Sequence, residues 1–501
     1  MTRRFHVVVV SLVCALFVAG CGGRTKSGVS GEAGAALVRS GALAYLAVDS
    51  DLGSNQWQKV DDLLHKFPGR EKWLRALRRQ LAQVGLEYGR DVKPGLGPEV
   101  DIAVVAGASP HDISYAWLTK PESVDKAKAL ARKLGETSSP PEQTVTRVVH
   151  GWVVVSDSAA KIDSTLKSGS QRSLADDAAF KEAIAKPPDD ALAKAYVNGR
   201  RFADLIEAYL GAGAQTTAFG GSGLAPFGLA KVDWIAADLD AEDEGIHFEA
   251  DVKGAGGRRL LGADRAYASK LISGVPADAL VFASFRGGPL ADQLRELRKN
   301  PEFGPGFGEL ERMLGLRLAD LLSLFRNEVA FYVRRGPGLP EFSLALDTPD
   351  EARALATLDR LVAHVARLTG SRVSTEKQGG VRVKSIGLGR VTVHYAAFDG
   401  RVLVTTGPTG IADYRASGDK LSDASAYENA RSGADVPDKT AGLLYVNLRD
   451  GVRLIEDYVG LAAGERVPAE VRENLKPLQS FVAFSTASGD VASVSAFLAI
   501  K

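Results

Sequence analysis

Cysteine is nearly absent from this chain, with two residues among 501. Two cysteines cannot form a disulfide framework or a thiolate metal site, so neither device holds the fold together. The chain also lacks a charge excess, because 62 Lys and Arg oppose 61 Asp and Glu for a net charge of +1. This balance argues against nucleic acid as a partner, since binding to phosphates requires a basic surface.

Histidine is scarce, and the familiar catalytic motifs are missing. No two of the seven histidines have the short spacing of a metal-ligand pair, so we expect structural or solvated roles for them. The sequence contains no Walker A motif, no Gly-x-Ser-x-Gly elbow and no dinucleotide-binding fingerprint. We therefore predict that the protein is not an enzyme and has no catalytic residues, no cofactor and no metal site.

Two short patterns resemble functional motifs but favour structural roles. Ser158–Lys161 and Ser164–Lys167 match the Ser-x-x-Lys of serine β-lactamase-like enzymes, but no partner motif follows in its place. The acidic residues from Asp238 to Glu244 have the composition of a calcium loop, yet Asp243 stands where that loop needs glycine. We interpret this acidic segment as a solvated hairpin turn.

The only long hydrophobic run lies at the N-terminus. Arg3 and Arg4 precede an apolar stretch from Phe5 to Ala19. That stretch is shorter than the roughly 20 residues that span a bilayer, and it has the length of a signal-peptide core. Its ending, Val-Ala-Gly before Cys21, resembles the lipobox of bacterial lipoproteins. The alternative is an ordinary secretory signal that is followed by a chance cysteine.

The lipobox resemblance implies a location and a membrane partner. Residues 1–20 are then a removed signal peptide, and Cys21 carries the acyl chains, palmitate among them, that bind the protein to a membrane. The protein would be lipid-anchored in the cell envelope, on the extracytoplasmic face of a bacterial membrane. Residues 21–39 begin with a Gly- and Ser-rich stretch and are predicted to form a flexible tether.

The remainder of the chain contains an internal repeat. Ala195–Gly211 aligns without a gap on Leu444–Gly460. Within this block, Tyr196 matches Tyr445 and Glu207 matches Glu456. Earlier matches occur in the same order along the chain; they pair Tyr45 with Phe282, Glu99 with Glu328, and Phe180 with Tyr427. Chance similarity over so many ordered blocks is improbable, so the sequence indicates a duplication.

The repeat predicts an α+β fold in two tandem homologous units, each a mainly antiparallel sheet with packed helices. The first unit covers residues 40–253, a linker covers 254–274, and the second unit covers 275–501. Strands mostly follow strands through short turns, with hairpins expected near Gly151 and Gly400, which favours antiparallel pairing.

The first unit also carries the residues of a family resemblance. Ala44–Asp49, Phe67–Gly69 and Asp91–Glu99 resemble a bacterial family of envelope proteins, the domain-of-unknown-function family 3352. The block ending in Gly-Pro-Glu at residue 99 is the most specific part, and the second unit departs from it. The resemblance implies an envelope protein but brings no known activity and no catalytic residues.

Three functions remain open on the sequence. The first is a non-enzymatic binding or scaffolding module of the cell envelope, with an envelope protein or a lipid as its ligand. The second is a carrier of lipid or another apolar ligand, which an apolar cavity of several hundred Å³ would favour. The third is a hydrolase, which a buried Ser–Lys or carboxylate pair in a cleft would favour.

Overall fold

The computed structural model describes residues 29–107, 112–137, 141, 143–213, 231–260, 266–288, 294–295, 298, 304–452, 454 and 467–501. These residues form two compact units, with the boundary between Gly257 and Arg258. Residues 500–501 group with the first unit rather than with the second.

The described part of the first unit contains strands, many of them consecutive along the chain, and helices between them. Strands β1 to β8 are Ala44–Asp49, Glu99–Ala106, Ile113–Thr119, Val145–Val149, Trp152–Ser156, Ala193–Asn198, Trp234–Glu242 and Gly245–Lys253. Helices α1 to α9 are Glu32–Ala35, Asn55–His65, Arg70–Gln83, Lys93–Leu96, Val124–Thr137, Ala159–Thr165, Ala178–Ile184, Gly199–Gly213 and Ala255–Leu260. A π-helical turn occupies Tyr88–Val92, and a 3₁₀ turn occupies Leu174–Asp176.

The second unit has a similar sequence of elements. Strands β9 to β18 are Val281–Arg286, Glu328–Arg334, Glu341–Asp347, Val373–Gln378, Val381–Leu388, Val391–Phe398, Arg401–Thr405, Gly442–Asn447, Leu478–Ser488 and Val491–Ile500. Helices α10 to α15 are Gly304–Leu314, Leu318–Ser323, Glu351–Thr369, Gly410–Arg415, Ser425–Gly433 and Ala469–Leu475. Two 3₁₀ turns occupy Leu271–Gly274 and Leu421–Asp423.

The first unit is built on one antiparallel sheet. Its described strands pair in the order β4-β5-β3-β2-β1-β6-β7-β8, and every pairing is antiparallel. Burial alternates along the central strand β1, so one set of side chains faces the core. Phe180 of α7 packs in that core against Tyr45 of β1 and Tyr196 of β6.

The second unit has the same strand order with one hairpin added. Nine of its ten described strands pair in the order β12-β13-β14-β15-β11-β10-β9-β16-β17, again with antiparallel neighbours. The hairpin of β12 and β13 has no counterpart among the described strands of the first unit. The α+β class and the antiparallel pairing are therefore confirmed.

The two hairpins expected from glycine positions are present and share one turn geometry. His150 and Gly151 connect β4 to β5 with φ of 49° and 83°. Asp399 and Gly400 connect β14 to β15 with φ of 50° and 74°. Two consecutive positive φ angles are required by the type I′ turn, whose twist matches that of the flanking strands.

The predicted tether and linker are both shorter than the sequence suggested. Val29 and Val38 are buried, and α1 lies between them, so residues 29–39 belong to the first unit rather than to the tether over 21–39. Leu271 is buried in the core of the second unit, so that part of the linker over 254–274 is folded as well. Both segments precede the first strand of their unit, and their buried apolar side chains belong to the core of that unit.

None of the described helices combines the length and the hydrophobicity that a bilayer crossing requires.

Candidate functional site

Several residues singled out from the sequence lie outside the described residues. These are residues 1–20, the lipidation candidate Cys21, His111 and Glu456. Lipidation at Cys21 and the matching position of Glu207 and Glu456 therefore stay predictions.

Ser158 and Lys161 are described, and they have structural partners. The Ser158 hydroxyl accepts a hydrogen bond from the Lys161 backbone N–H and caps the N-terminus of α6. The Lys161 ammonium forms an ion pair of 2.6 Å with Asp157 and lies over the Tyr115 ring. The amine is thus directed to a carboxylate and an aromatic face rather than to the serine oxygen.

The acidic segment between β7 and β8 differs from its interpretation as a solvated turn. The turn itself is where we expected it, since Glu242, Asp243 and Glu244 are exposed. Asp238 and Asp240, however, lie on β7 and are only 8% and 6% exposed. Alternate residues of a strand share one face, and here that face is covered.

Strand pairing brings a histidine and two further charged groups to the face that carries Asp238 and Asp240. Asp240 lies directly opposite His247 of β8. Asp238 lies opposite Glu249 of β8 on one side and opposite the buried Lys194 of β6 on the other. Side chains opposite each other across an antiparallel pair have Cβ atoms about 4.5–5.5 Å apart, so these groups are close neighbours. We call Asp238, Asp240 and His247 the β7–β8 triad.

The electrostatics of the triad follow from burial and from like charges. Burial is the main cause that raises the pKa of Asp238, and a hydrogen bond with the Asp240 carboxyl is the next. Burial also raises the pKa of Asp240, against the opposing influence of His247. Ligand atoms of the three side chains all lie within 4.8 Å of one another, so the triad is a group that can hold a metal ion. The expectation of no metal site therefore stays a prediction, and Asp238, Asp240 and His247 are the residues at which it can be tested.

A second feature is an open groove of about 830 Å³ in the second unit. It lies at one edge of the sheet, where β10 and β15 end and β11 and β14 begin. Antiparallel pairing of these strands places the connecting loops side by side at that edge. The groove is lined mainly by apolar residues; they are Pro337, Leu339, Pro340, Phe342, Val391, Pro408 and Leu454.

Two of the lining side chains expose large apolar surfaces. Leu339 is 43% exposed and Phe342 is 46% exposed. The Phe342 ring stacks on that of Phe331 at 6.2 Å, and its backbone N–H donates to the Thr406 hydroxyl, so its position is fixed from both sides. A cluster of fixed, exposed apolar side chains in a concave surface is typical of a ligand-binding site.

The other described histidines are exposed or contact polar groups. His65 and His150 are exposed. His394 is buried and shares a hydrogen bond of 2.8 Å with the Ser385 hydroxyl, and burial lowers its pKa. His364 contacts the backbone carbonyl of Met313.

Sequence reasoning missed both the triad and the groove. The signal for the triad was available, because a two-residue turn at positions 243 and 244 sets the register that pairs Asp240 with His247. The groove depends on which loops meet at one sheet edge, and no local pattern records that arrangement.

Comparison with known proteins identifies a family but no activity. The model of the family described as "Protein of unknown function (DUF3352)" matches residues 132–500. This match begins after residues 44–99, on which the sequence resemblance was based. No curated protein matches the chain.

Two solved structures of TP0453 are weakly similar to part of the chain. Crystal form IV has 10% identity and a TM-score of 0.24, covering 46% of this chain and 81% of that chain. Crystal form I has 13% identity and a TM-score of 0.23, covering 46% and 79%. Scores this low do not establish a common fold. The family match, in contrast, spans well over half of the sequence, and the chain belongs to the DUF3352 family of proteins of unknown function.

Proposed function

We propose that the protein is a lipid-anchored lipoprotein of the bacterial cell envelope and acts there as a non-enzymatic binding or scaffolding module. The lipobox-like sequence before Cys21 supports the anchor and the extracytoplasmic location. The palmitate-type acyl chains on this cysteine would be its contact with the membrane. The structural partners of Ser158 and Lys161 support a role other than Ser–Lys hydrolysis.

The observation that carries the binding role is the apolar groove of the second unit. Its volume of about 830 Å³ falls within the range of ligand sites, and its floor and walls are mostly hydrocarbon. Arg390 and Glu341 in the lining provide the charges that could orient a ligand. Arg334, at the end of β10, binds both Asp278 and Asp413 through its guanidinium, which connects the chain segments next to the groove.

The same lining favours a second candidate, a carrier of lipid or another apolar ligand. Leu339 and Phe342 offer surface that is more favourable against hydrocarbon than against water. A scaffold would present this surface to an apolar segment of an envelope protein, whereas a carrier would present it to an acyl chain. The two roles differ in what the groove retains.

Native mass spectrometry of the full chain, extracted from its own membrane, tests the groove. Phe342→Asp places a charge in the groove, and Leu368→Asp places the same charge on α12, where Leu368 is 70% exposed. We expect the first variant to lose a co-purifying species by about tenfold, the equivalent of one buried apolar side chain, and the second variant to retain it.

The identity of that species separates the two roles. A co-purifying envelope protein supports the scaffold, and a co-purifying lipid supports the carrier. Equal retention by Phe342→Asp and Leu368→Asp would show that the groove is not the binding site.

We also infer that the two units arose by duplication of one ancestral domain. The strand orders support this, because β4-β5-β3-β2-β1-β6-β7 and β14-β15-β11-β10-β9-β16-β17 correspond one to one. The register supports it as well. Tyr45 pairs with Tyr196 in the first unit, and Phe282 pairs with Tyr445 in the second, as the sequence matches require.

Two matched side-chain contacts support the same inference. The Phe180 ring meets that of Tyr196 edge-on at 5.2 Å, and the Tyr427 ring meets that of Tyr445 edge-on at 5.1 Å.

The matched acids Glu99 and Glu328 also make equivalent hydrogen bonds. Each begins the second strand of its unit and accepts hydrogen bonds from backbone N–H groups before the first strand. The donors are Ser30 in one unit and Lys270 in the other. Equivalent contacts at matched positions are expected of copies that kept one packing scheme.

A further inference from the structure

We propose that Asp238, Asp240 and His247 bind a divalent transition-metal ion, with zinc as the best fit. This β7–β8 triad lies in the first unit and is separate from the groove on which the proposed function rests. One nitrogen and two carboxylate ligands would hold the ion, and a water molecule would complete its coordination.

All three ligands lie on paired strands, and none lies on a loop. Asp238 and Asp240 are two residues apart on β7 and therefore point to the same face of the sheet. His247 is the cross-strand partner of Asp240 on β8. Ligands on paired strands are held by the ladder, which gives a metal site more rigidity than a loop does.

The unsatisfied carboxylate of Asp240 is the observation that points to a ligand. Asp240 is 6% exposed, and apart from the neighbouring Asp238 carboxyl its oxygens have no hydrogen-bond partner in the described part of the chain. A buried carboxylate without a hydrogen-bond donor is costly, and such groups are normally paired or bound to a metal. Its oxygens lie within 4.8 Å of ligand atoms of Asp238 and His247.

The surrounding charges favour a cation at this point. Glu249 and Asp251 of β8 and Asp190 act electrostatically on the two aspartates. Lys194 opposes them on β6, and Lys186 acts on Glu249. The carboxylates still outnumber the lysines, so a doubly charged cation reduces the repulsion that burial makes severe.

The donor set selects among metals. Calcium and magnesium prefer oxygen ligands alone, whereas imidazole nitrogen suits zinc and its neighbours in the first transition row. Zinc binds three protein ligands and one water at distances of about 2.0–2.2 Å. The ligand atoms of the triad lie within 4.8 Å of one another, so small side-chain movements bring them to these distances from one ion. His247 is half-buried, which gives the ion a route from solvent.

Isothermal titration calorimetry of the metal-stripped full chain in detergent tests the proposal. Zinc should bind with one high-affinity ion per chain, and manganese and calcium should bind more weakly. Asp240→Asn should weaken the zinc affinity by about tenfold or more, as loss of a ligand does. Glu242→Gln is the matched control, because Glu242 is exposed on the same strand and the charge change is identical. The zinc affinity of this control variant should equal that of the parent chain.

A second variant keeps the test decisive if Asp240→Asn does not fold. His247→Gln removes the nitrogen ligand at the half-exposed end of the triad and should also weaken zinc binding. With cobalt in place of zinc, it should alter the visible absorption of the bound ion. Absence of zinc binding would overturn the proposal, as would equal affinity in Asp240→Asn and Glu242→Gln. Binding of calcium alone, unaffected by His247→Gln, would overturn the ligand set.

Discussion

At the scale of single residues, the most telling feature of the first unit is the number of acids that its core encloses. Asp49 at the end of β1 is 1% exposed, and Asp101 on the adjacent β2 is fully buried. Asp49 accepts a hydrogen bond from the Asp51 N–H through one oxygen, while its other oxygen has no donor among the described residues. Burial therefore raises the pKa of Asp49 to about 7.

The raised pKa makes stability depend on pH with a definite sign. The folded chain holds a proton on Asp49 up to about pH 7, whereas an unfolded aspartate loses it near 3.8. The stabilising contribution is therefore complete below pH 3.8 and disappears as pH rises to about 7. A shift of this size corresponds to about 4 kcal/mol. Asparagine has no carboxyl group to titrate. We therefore expect the free energy of unfolding of Asp49→Asn to fall less than that of the parent chain as the pH rises.

Urea unfolding at pH 5 and pH 8 measures this effect. The parent chain should lose more free energy of unfolding between the two pH values than Asp49→Asn does. Asp62→Asn, an exposed carboxyl on α2, should keep the pH dependence of the parent. If Asp49→Asn and the parent have the same pH dependence, Asp49 is charged in the folded state and our account of it is wrong.

At the scale of elements, local patterns predicted most strands and helices, and long-range pairing explains what they missed. Helix α2 is an example of a local pattern, because the Ser54 hydroxyl accepts a hydrogen bond from the Trp57 N–H at its start and its buried residues recur at helical spacing. The β12–β13 hairpin of the second unit is largely exposed along β12, so it has no apolar alternation to reveal it. The burial of Asp238 and Asp240 depends on elements that pack on β7 from elsewhere in the chain, and the sequence of β7 alone does not report that.

The matched aromatic contacts provide a test of the duplication at this scale. Phe180→Ala and Tyr427→Ala each remove a buried ring from the face of a strand tyrosine. Each should lower the free energy of unfolding by about 3–5 kcal/mol, because a large buried side chain is replaced by a cavity. Phe248→Ala, at an exposed position of β8, should cost about 1 kcal/mol or less.

Thermal or urea unfolding of the three variants gives the comparison. Similar losses for Phe180→Ala and Tyr427→Ala are the expected result. A full loss for one and a loss no larger than that of Phe248→Ala for the other would contradict equivalent roles of α7 and α14.

At the scale of the whole molecule, our proposal combines a lipid anchor with two units that differ in their candidate sites. The first unit has the β7–β8 triad, and the second has the apolar groove. If the units arose by the proposed duplication, the β12–β13 hairpin beside β14 is a feature that only the second unit gained among the described strands. The proposed binding module, held at a membrane by Cys21, would account for the lipobox-like sequence and for the groove.

Intact-mass spectrometry of the chain purified from bacterial membranes tests this account most directly. The account predicts a mature chain that begins at Cys21 and carries the mass of two or three acyl chains, and a Cys21→Ala variant that is unprocessed or released from the membrane. A mature chain without acyl mass, or a Cys21→Ala variant that is processed and stays on the membrane after washing as the parent does, would contradict it.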